Sequence, residues 1–234
     1  MLSSFTIFPL GDSALTIDFG NKIDDNINYK VLQLFAQLQH FSPLITDVVP
    51  AYSSLTIYYD VAALHTHEKT AFETVRDMVT PFLEKEQNLT QKRRQLTIPV
   101  CYAKTFAPDI DELAAQKNIS VEELIGLHTA RTYRVYMIGF LPGFAYMGKV
   151  DEKLATPRRQ KPRTNVPAGA VGIAGEQTGI YPLLSPGGWN IIGRTPLRLF
   201  AADSSEPVFF QPGDEVQFYS ITEDEFENYQ GRHS

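Results

Sequence analysis

Two different rhythms of apolar and polar positions run along the chain. In the first third the rhythm switches cleanly between two and three-to-four. Phe5, Ile7 and Pro9 alternate with polar neighbours, Gly11-Asp12 supplies a turn, and Leu15, Ile17 and Phe19 resume the alternation, which predicts a hairpin over residues 5–19. Ile27, Val31, Leu34, Phe35, Leu38 and Phe41 then recur at three and four, which predicts a helix from about Asp25 to Phe41 with one apolar stripe. ITDVVPAY and LTIYYD, split by Ser53-Ser54, read as two further strands. Phe72, Val75, Val79, Phe82 and Leu83 predict a second helix from about Thr66 to Leu83. Two strands, a helix, two strands and a helix describe a small α+β domain over residues 1–84, with its helices on one face of a sheet.

Residues 85–95, within the polar run EKEQNLTQKRRQ, are expected to link this domain to a second one spanning 96–234. The second domain opens with the strand LTIPVCYA. Asp109 with Glu112, and Ser120 with Glu123, have the spacing of capping boxes and predict two short helices. The strand YRVYMIGF follows. From there glycine, proline, arginine and aromatic residues crowd together, and 9 of the 15 prolines fall between Gly139 and Gly213. Interior prolines exclude long helices. Short strands with glycine-rich corners, ending in a pair PVFFQ and EVQFYS turned at Pro212-Gly213-Asp214, point to a mostly-β barrel, closed or nearly so.

Composition narrows the possible functions. The 234 residues are 43% hydrophobic and 21% charged, which are globular values. A net charge of −6 speaks against a nucleic-acid binder, which needs a basic face. The one basic cluster, Arg158, Arg159, Lys161 and Arg163, reads either as an anion or partner site or as a solvated loop. Cys101 is the single cysteine and cannot form an intrachain disulfide; in its strand it reads as a buried, inert thiol. No basic leader and no apolar run of about 20 residues is visible, so a cytoplasmic protein with no membrane span is expected.

Most chemical motifs fail on inspection. Gly143 to Lys149 fits GxxxxGK, but Val150 lacks the hydroxyl that would hold magnesium, and the loop interior is aromatic. His65 and His67 fall at an expected helix start with no third ligand nearby, so no metal is predicted. No GxSxG elbow is present. More promising are polar residues held beside glycine, proline or a turn: Arg163, Gln177, Tyr181, Ser185, Trp189 and Arg194. Arg163 and Arg194 can each grip a carboxylate or phosphate through two parallel hydrogen bonds, or can tie loops together. Phe140, Pro142, Phe144, Tyr146 and Met147 make an apolar, semi-rigid loop, read as a lid over a core or a patch for a partner protein.

One long, idiosyncratic run carries more information than any motif. HTARTYRVYMIGFLPGFAYMG, then ATPRRQKPRTNVPAGAVGIAGEQTGIYPLLSPGGWNIIGRTPLRLF, covering His128 to Phe200, resembles the signature of the KipI/PxpB family, which comprises the B component of 5-oxoprolinase and proteins once labelled allophanate hydrolase subunit 1. Ala145, Met147, Lys149 and Ala170 depart from the residues frequent in that family. The resemblance implies an α+β N-terminal domain and a cyclophilin-like C-terminal barrel, without implying prolyl isomerase activity. It also implies two companion proteins, one KipA/PxpC-like and one PxpA-like. Together the three cleave 5-oxo-L-proline to L-glutamate with ATP, and with Mg as the counter-ion of ATP. In one branch the implied role is inhibition of a sporulation histidine kinase; another similarity is to a segment of urea carboxylase. On chemistry, the expected substrate contacts are Arg163, Ser185 and Arg194. His128, Tyr136 and Gln177 are expected near the reacting amide, and Phe140, Pro142, Phe144, Tyr146 and Trp189 at a partner.

Overall fold

The computed structural model describes residues 5–84 and 94–229, and the chain divides into two compact units, Met1–Lys92 and Arg93–Ser234. Among the described residues no helix is long and apolar enough to cross a membrane.

In the first unit, β1 (Thr6–Pro9) and β2 (Ala14–Asp18) form the expected hairpin, and β3 (Ile45–Pro50) and β4 (Ser54–Tyr59) complete an antiparallel sheet of order β1-β2-β4-β3. Helix α1 (Asp25–Leu38) begins where the Asp24 carboxylate accepts the N–H groups of Asn26 and Ile27. It stops three residues short of Phe41, whose N–H turns back to the Leu38 carbonyl while its ring packs edge-on against Phe82 at 4.8 Å. The second helix does not start at Thr66. A single turn, α2 (Val61–Leu64), comes first, and Thr66 then spends its hydroxyl closing a turn over Glu68 and Lys69. Helix α3 (Ala71–Glu84) starts instead from a reciprocal cap, in which the Thr70 hydroxyl accepts the Glu73 N–H and the Glu73 carboxylate accepts the Thr70 N–H. His65 and His67 are exposed beside it. Leu15, Ile17, Leu55, Ile57 and Tyr59 meet Val31, Leu34, Leu38, Val75, Val79 and Leu83 in one core. The period-two set of the sheet thus closes on the two helical stripes.

The second unit is built on a closed barrel. Its elements in chain order are β5 (Gln95–Cys101), α4 (Ile110–Lys117), α5 (Val121–Thr129), β6 (Thr132–Ile138), β7 (Ala145–Gly148), β8 (Arg163–Val166), β9 (Ala170–Ala174), β10 (Gln177–Ile180), β11 (Ser185–Gly187), β12 (Asn190–Arg194), β13 (Glu215–Ile221) and α6 (Glu223–Glu227). Most of the expected linker lies outside the described residues; its last residue, Gln95, already belongs to β5. Seven strands close in the order β10-β7-β6-β13-β5-β12-β9, and β8 with β11 makes a separate ribbon. The expected pairing of PVFFQ with EVQFYS does not occur. Val208 makes only an isolated bridge to Phe200, while β13 runs parallel to β5 and antiparallel to β6. Parallel pairing is open to it because the whole barrel circuit separates β13 from β5 in sequence.

Alternation along the strands sorts the apolar residues into two layers. Ile98, Val100, Tyr133, Val135, Ala145, Met147, Val171, Ile173, Ile180, Ile192, Val216 and Phe218 fill one core together with Leu113 and Leu124 of the helices. Phe144, Ala170, Ala174, Tyr181 and Ile191, their neighbours along the chain, point the other way and join Val166 and Trp189 in a second cluster. Cys101 is buried, and burial pushes its thiol pKa up, so it is an inert thiol.

Candidate functional site

The second cluster explains the glycine-rich sequence. Phe144 sits at its centre, with ring centroids 4.8 Å from Tyr146, 5.3 Å from Tyr181, 5.3 Å from Trp189 and 5.8 Å from Phe140, all near edge-on. The buried rings of this cluster fit against the strands only where the positions directly beneath them carry no side chain. A methyl group at Gly179 would stand 2.9 Å from the Ala145 carbonyl and 3.1 Å from both Phe144 and Trp189; at Gly172 it would stand 3.0 Å from Trp189, and at Gly187 it would overlap the Tyr181 phenol. Burial pushes the pKa values of Tyr146 and Tyr181 up, with the Arg158 guanidinium nearby partly opposing the shift. Arg159 N–H donates to the Gly188 carbonyl at 2.7 Å, one residue before Trp189, so the aromatic cluster and the basic loop are neighbours.

The basic loop is held by one carboxylate. The sequence spacing predicts that Asp109 caps α4 with its side chain, yet it makes no such hydrogen bond. Buried to 2% exposure, it accepts from Arg159 Nη1 at 2.7 Å, Arg163 Nη1 at 2.8 Å and Nη2 at 2.5 Å, and the Ile191 N–H at 2.6 Å. Arg159 also reaches Glu112 at 3.1 Å, and these two carboxylates keep its guanidinium pKa raised. A buried charge needs a partner and hydrogen bonds; here two arginines and a strand N–H supply both. The result welds residues 159–163 to the start of α4 and to β12. Ser120, by contrast, caps α5 as its spacing implies, accepting the Glu123 N–H at 3.1 Å.

The residues expected at a substrate separate in space. His128 lies fully buried in the barrel core, stacked on Phe218 at 4.6 Å. Thr178 Oγ1 donates to the Gly172 carbonyl, so it accepts from His128 Nε2–H at 3.0 Å, and His128 Nδ1 then accepts from the Tyr102 hydroxyl at 2.7 Å. Burial lowers the pKa of this imidazole to about 3, so it is neutral and serves as a core hydrogen-bonding hub. Arg163, expected to grip a substrate carboxylate, instead grips Asp109 on both of its terminal nitrogens. Of its two open readings, the loop tie is the one seen. Arg194 donates Nε to the Ala168 carbonyl at 2.9 Å, with its guanidinium 5.9 Å from the Phe226 ring. Ser185 is buried, its hydroxyl on the Pro186 carbonyl; Tyr136 is buried on β6, and Gln177 is half-buried at the start of β10. Phe144 and Trp189 are buried, whereas Phe140 and Pro142 are exposed. Residues 145–148 of the GxxxxGK segment form β7, paired on both sides with β6 and β10, so their backbone cannot cradle a phosphate.

The sequence gives no sign that Asp109 and Arg159 pair, because an aspartate before a helix looks the same whether it caps the helix or reaches fifty residues onward. Tyr102 and Thr178 likewise carry no signal of their hydrogen bonds to His128.

A small α+β unit followed by a closed seven-stranded barrel, with an aromatic cluster and an arginine-tied ribbon, defines the class of protein. The carboxyltransferase domain, subdomain C and D, matches residues 5–210. The chain is 40% identical over 235 aligned residues to the B component of 5-oxoprolinase from Bacillus subtilis, covering 98% of each chain. It is 34% identical to the protein of the same name from Escherichia coli O157:H7, covering 89% of this chain and 93% of that one. The crystal structure of TTHA0988 matches at a TM-score of 0.77 and 35% identity over 89% of this chain; the chain spans only 39% of that longer protein. The protein belongs to the family of 5-oxoprolinase B components, within the carboxyltransferase subdomain C and D group.

Proposed function

We propose that this chain is the B component of an ATP-dependent 5-oxoprolinase, cleaving 5-oxo-L-proline to L-glutamate with a PxpA-like and a KipA/PxpC-like companion. The observation that carries the reading is end-to-end similarity, at 40% identity, to a protein of that name and of matching length. The site geometry supports a shared role over a self-contained one. The described residues bring together no nucleophile with a base, His128 is locked in the core, and β7 offers no phosphate cradle. ATP, with Mg as its counter-ion, is bound by the assembled complex in this reading. Opening a lactam requires its carbonyl to be made electrophilic, which phosphorylation of that oxygen would do, and positive groups placed where charge develops lower that barrier. Arg194, at the end of β12, and Gln177, at the start of β10, are this chain's candidates for contacting the substrate. The test is 5-oxoproline-dependent ATP hydrolysis by the three co-purified proteins. The reading expects turnover to vanish when this chain is omitted, and unchanged turnover would overturn it.

A further inference from the structure

The loops that frame the aromatic cluster bring an unpaired guanidinium and a buried hydroxyl together. Arg158 sits between two anchored neighbours: the Pro157 carbonyl accepts from Asn190 Nδ2 at 3.0 Å, and the Arg159 N–H donates to the Gly188 carbonyl at 2.7 Å. Gly188 and Asn190 flank Trp189, so the Arg158 backbone is held alongside that residue. The Arg158 side chain is exposed and makes no hydrogen bond or ion pair among the described residues. It is nonetheless close enough to act electrostatically on the hydroxyls of Tyr146 and Tyr181. Tyr181 is 1% exposed; its hydroxyl takes the place that a Gly187 side chain would occupy, and its oxygen accepts the Trp189 N–H. Gly187 pairs across the ribbon with Arg163, and paired residues point their side chains to one face, so Arg163 stands beside the same hydroxyl. Burial keeps both phenols protonated at neutral pH. The Tyr181 oxygen already accepts, and no residue among those described accepts its proton; a buried donor without an acceptor is costly. Arg158, Arg163 and, on Tyr181, Tyr146 are the groups that act on these phenols, with no carboxylate among them. Asp109 already takes both terminal nitrogens of Arg163, so the uncompensated charge is that of Arg158.

We propose that Arg158 and the Tyr181 hydroxyl, with Tyr146 beside them, form a site for an oxyanion: the carboxylate of a small acid, or a phosphate group. The guanidinium offers two parallel N–H donors and the phenol a third, which suits either group. Phe144, edge-on to both Tyr181 and Trp189, gives the site a rigid apolar wall, so little order is lost when the hydroxyl donates. Naming the ligand rests on the functional reading above, under which the anions at hand are 5-oxo-L-proline and phosphate. The site itself does not rest on it.

The test uses Trp189, the chain's only tryptophan, whose N–H is held by Tyr181. Emission of the full chain is titrated with 5-oxo-L-proline, with inorganic phosphate and with the uncharged amide of 5-oxoproline, chloride keeping the ionic strength constant. The expected result is a saturable change with at least one of the two anions and none with the amide. Arg158→Ala and Tyr181→Phe should each raise the midpoint about ten- to hundredfold, the loss of a hydrogen bond to a charged group. Lys153→Ala, at an exposed cation paired with Glu123, should leave it unchanged. Arg158→Ala removes no described contact, so its melting temperature should match the wild type, which separates a lost site from a lost fold. Which anion saturates decides between carboxylate and phosphate, and either sustains the proposal. A wild-type emission that neither anion changes saturably, an amide that binds as tightly as the acid, or a midpoint that either variant leaves in place overturns it. Each of those results leaves the functional reading standing, because that reading falls only if the three-protein assay turns over without this chain.

Discussion

Acidification should unfold the barrel through His128. Its imidazole has an ordinary pKa of 6.5 in the unfolded chain, and burial lowers it to about 3 in the folded one. Between these values the unfolded chain holds a proton that the folded chain refuses, so falling pH draws the equilibrium toward unfolding. The contribution of neutral His128 is complete above pH 6.5 and is lost as the pH drops, at about 1.4 kcal/mol per unit. By about pH 5 that loss is about 2 kcal/mol, and near pH 3 it approaches about 4 to 5 kcal/mol, comparable with the whole stability of many domains. The chain's single tryptophan, Trp189, is buried in the second unit, so its emission during urea unfolding reports that unit alone. Other titrating groups are cancelled by measuring against His128→Gln, which keeps a polar amide facing Tyr102 and Thr178 but cannot titrate. The variant should be less stable at about pH 7.5, and the stability gap should narrow by about 2 kcal/mol at about pH 5. A gap that stays constant across that range would refute the assignment of His128 as a neutral, buried group.

Two further perturbations address the barrel. Asp214, 2% exposed, accepts Arg94 Nε at 2.8 Å and Nη2 at 2.6 Å and the Gln211 N–H at 2.7 Å, while the arginine side chain is 41% exposed. Arg94→Ala strands a buried carboxylate and should cost about 3 kcal/mol in urea melts, whereas Asp214→Asn leaves a cation that can turn to water and should cost less; the reverse order would contradict the burial asymmetry. Gly187→Ala drives a methyl into the Tyr181 phenol and should destabilise the second unit by about 1–3 kcal/mol. Unchanged Trp189 emission and melting would show that the ribbon does not press on the barrel as described.

The first unit is legible nearly strand by strand because each of its elements obeys one local rule. β4 alternates, α1 and α3 carry apolar stripes, and the differences from expectation are the helix ends and the added single turn α2. Those differences have local reasons too: Thr66 and Thr70 compete to start α3, and the one with a glutamate three residues on prevails. In the second unit the class is legible and the pairing is not. Nothing in EVQFYS reveals that its partner is a strand more than a hundred residues earlier, aligned in parallel. Period two identifies a strand, but strand order is set by the closure of the whole sheet.

The site shows the same division more sharply, and it bears on what the arginines are for. In the sequence Arg163 is equally readable as a grip for an anion or as a loop tie, and Arg159 as part of an anion or partner site or a solvated loop. The residue that claims them, Asp109, carries an equally good local explanation as a helix cap. One buried carboxylate can satisfy either duty, and the tertiary one prevails because it neutralises a charge that a cap alone would leave costly in the interior. Asp109 thereby divides the basic cluster into two arginines that hold the loop and two cations, Arg158 and Lys161, that the loop presents. Composition reports the four as one cluster. Only the fold tells which of them remain available to bind.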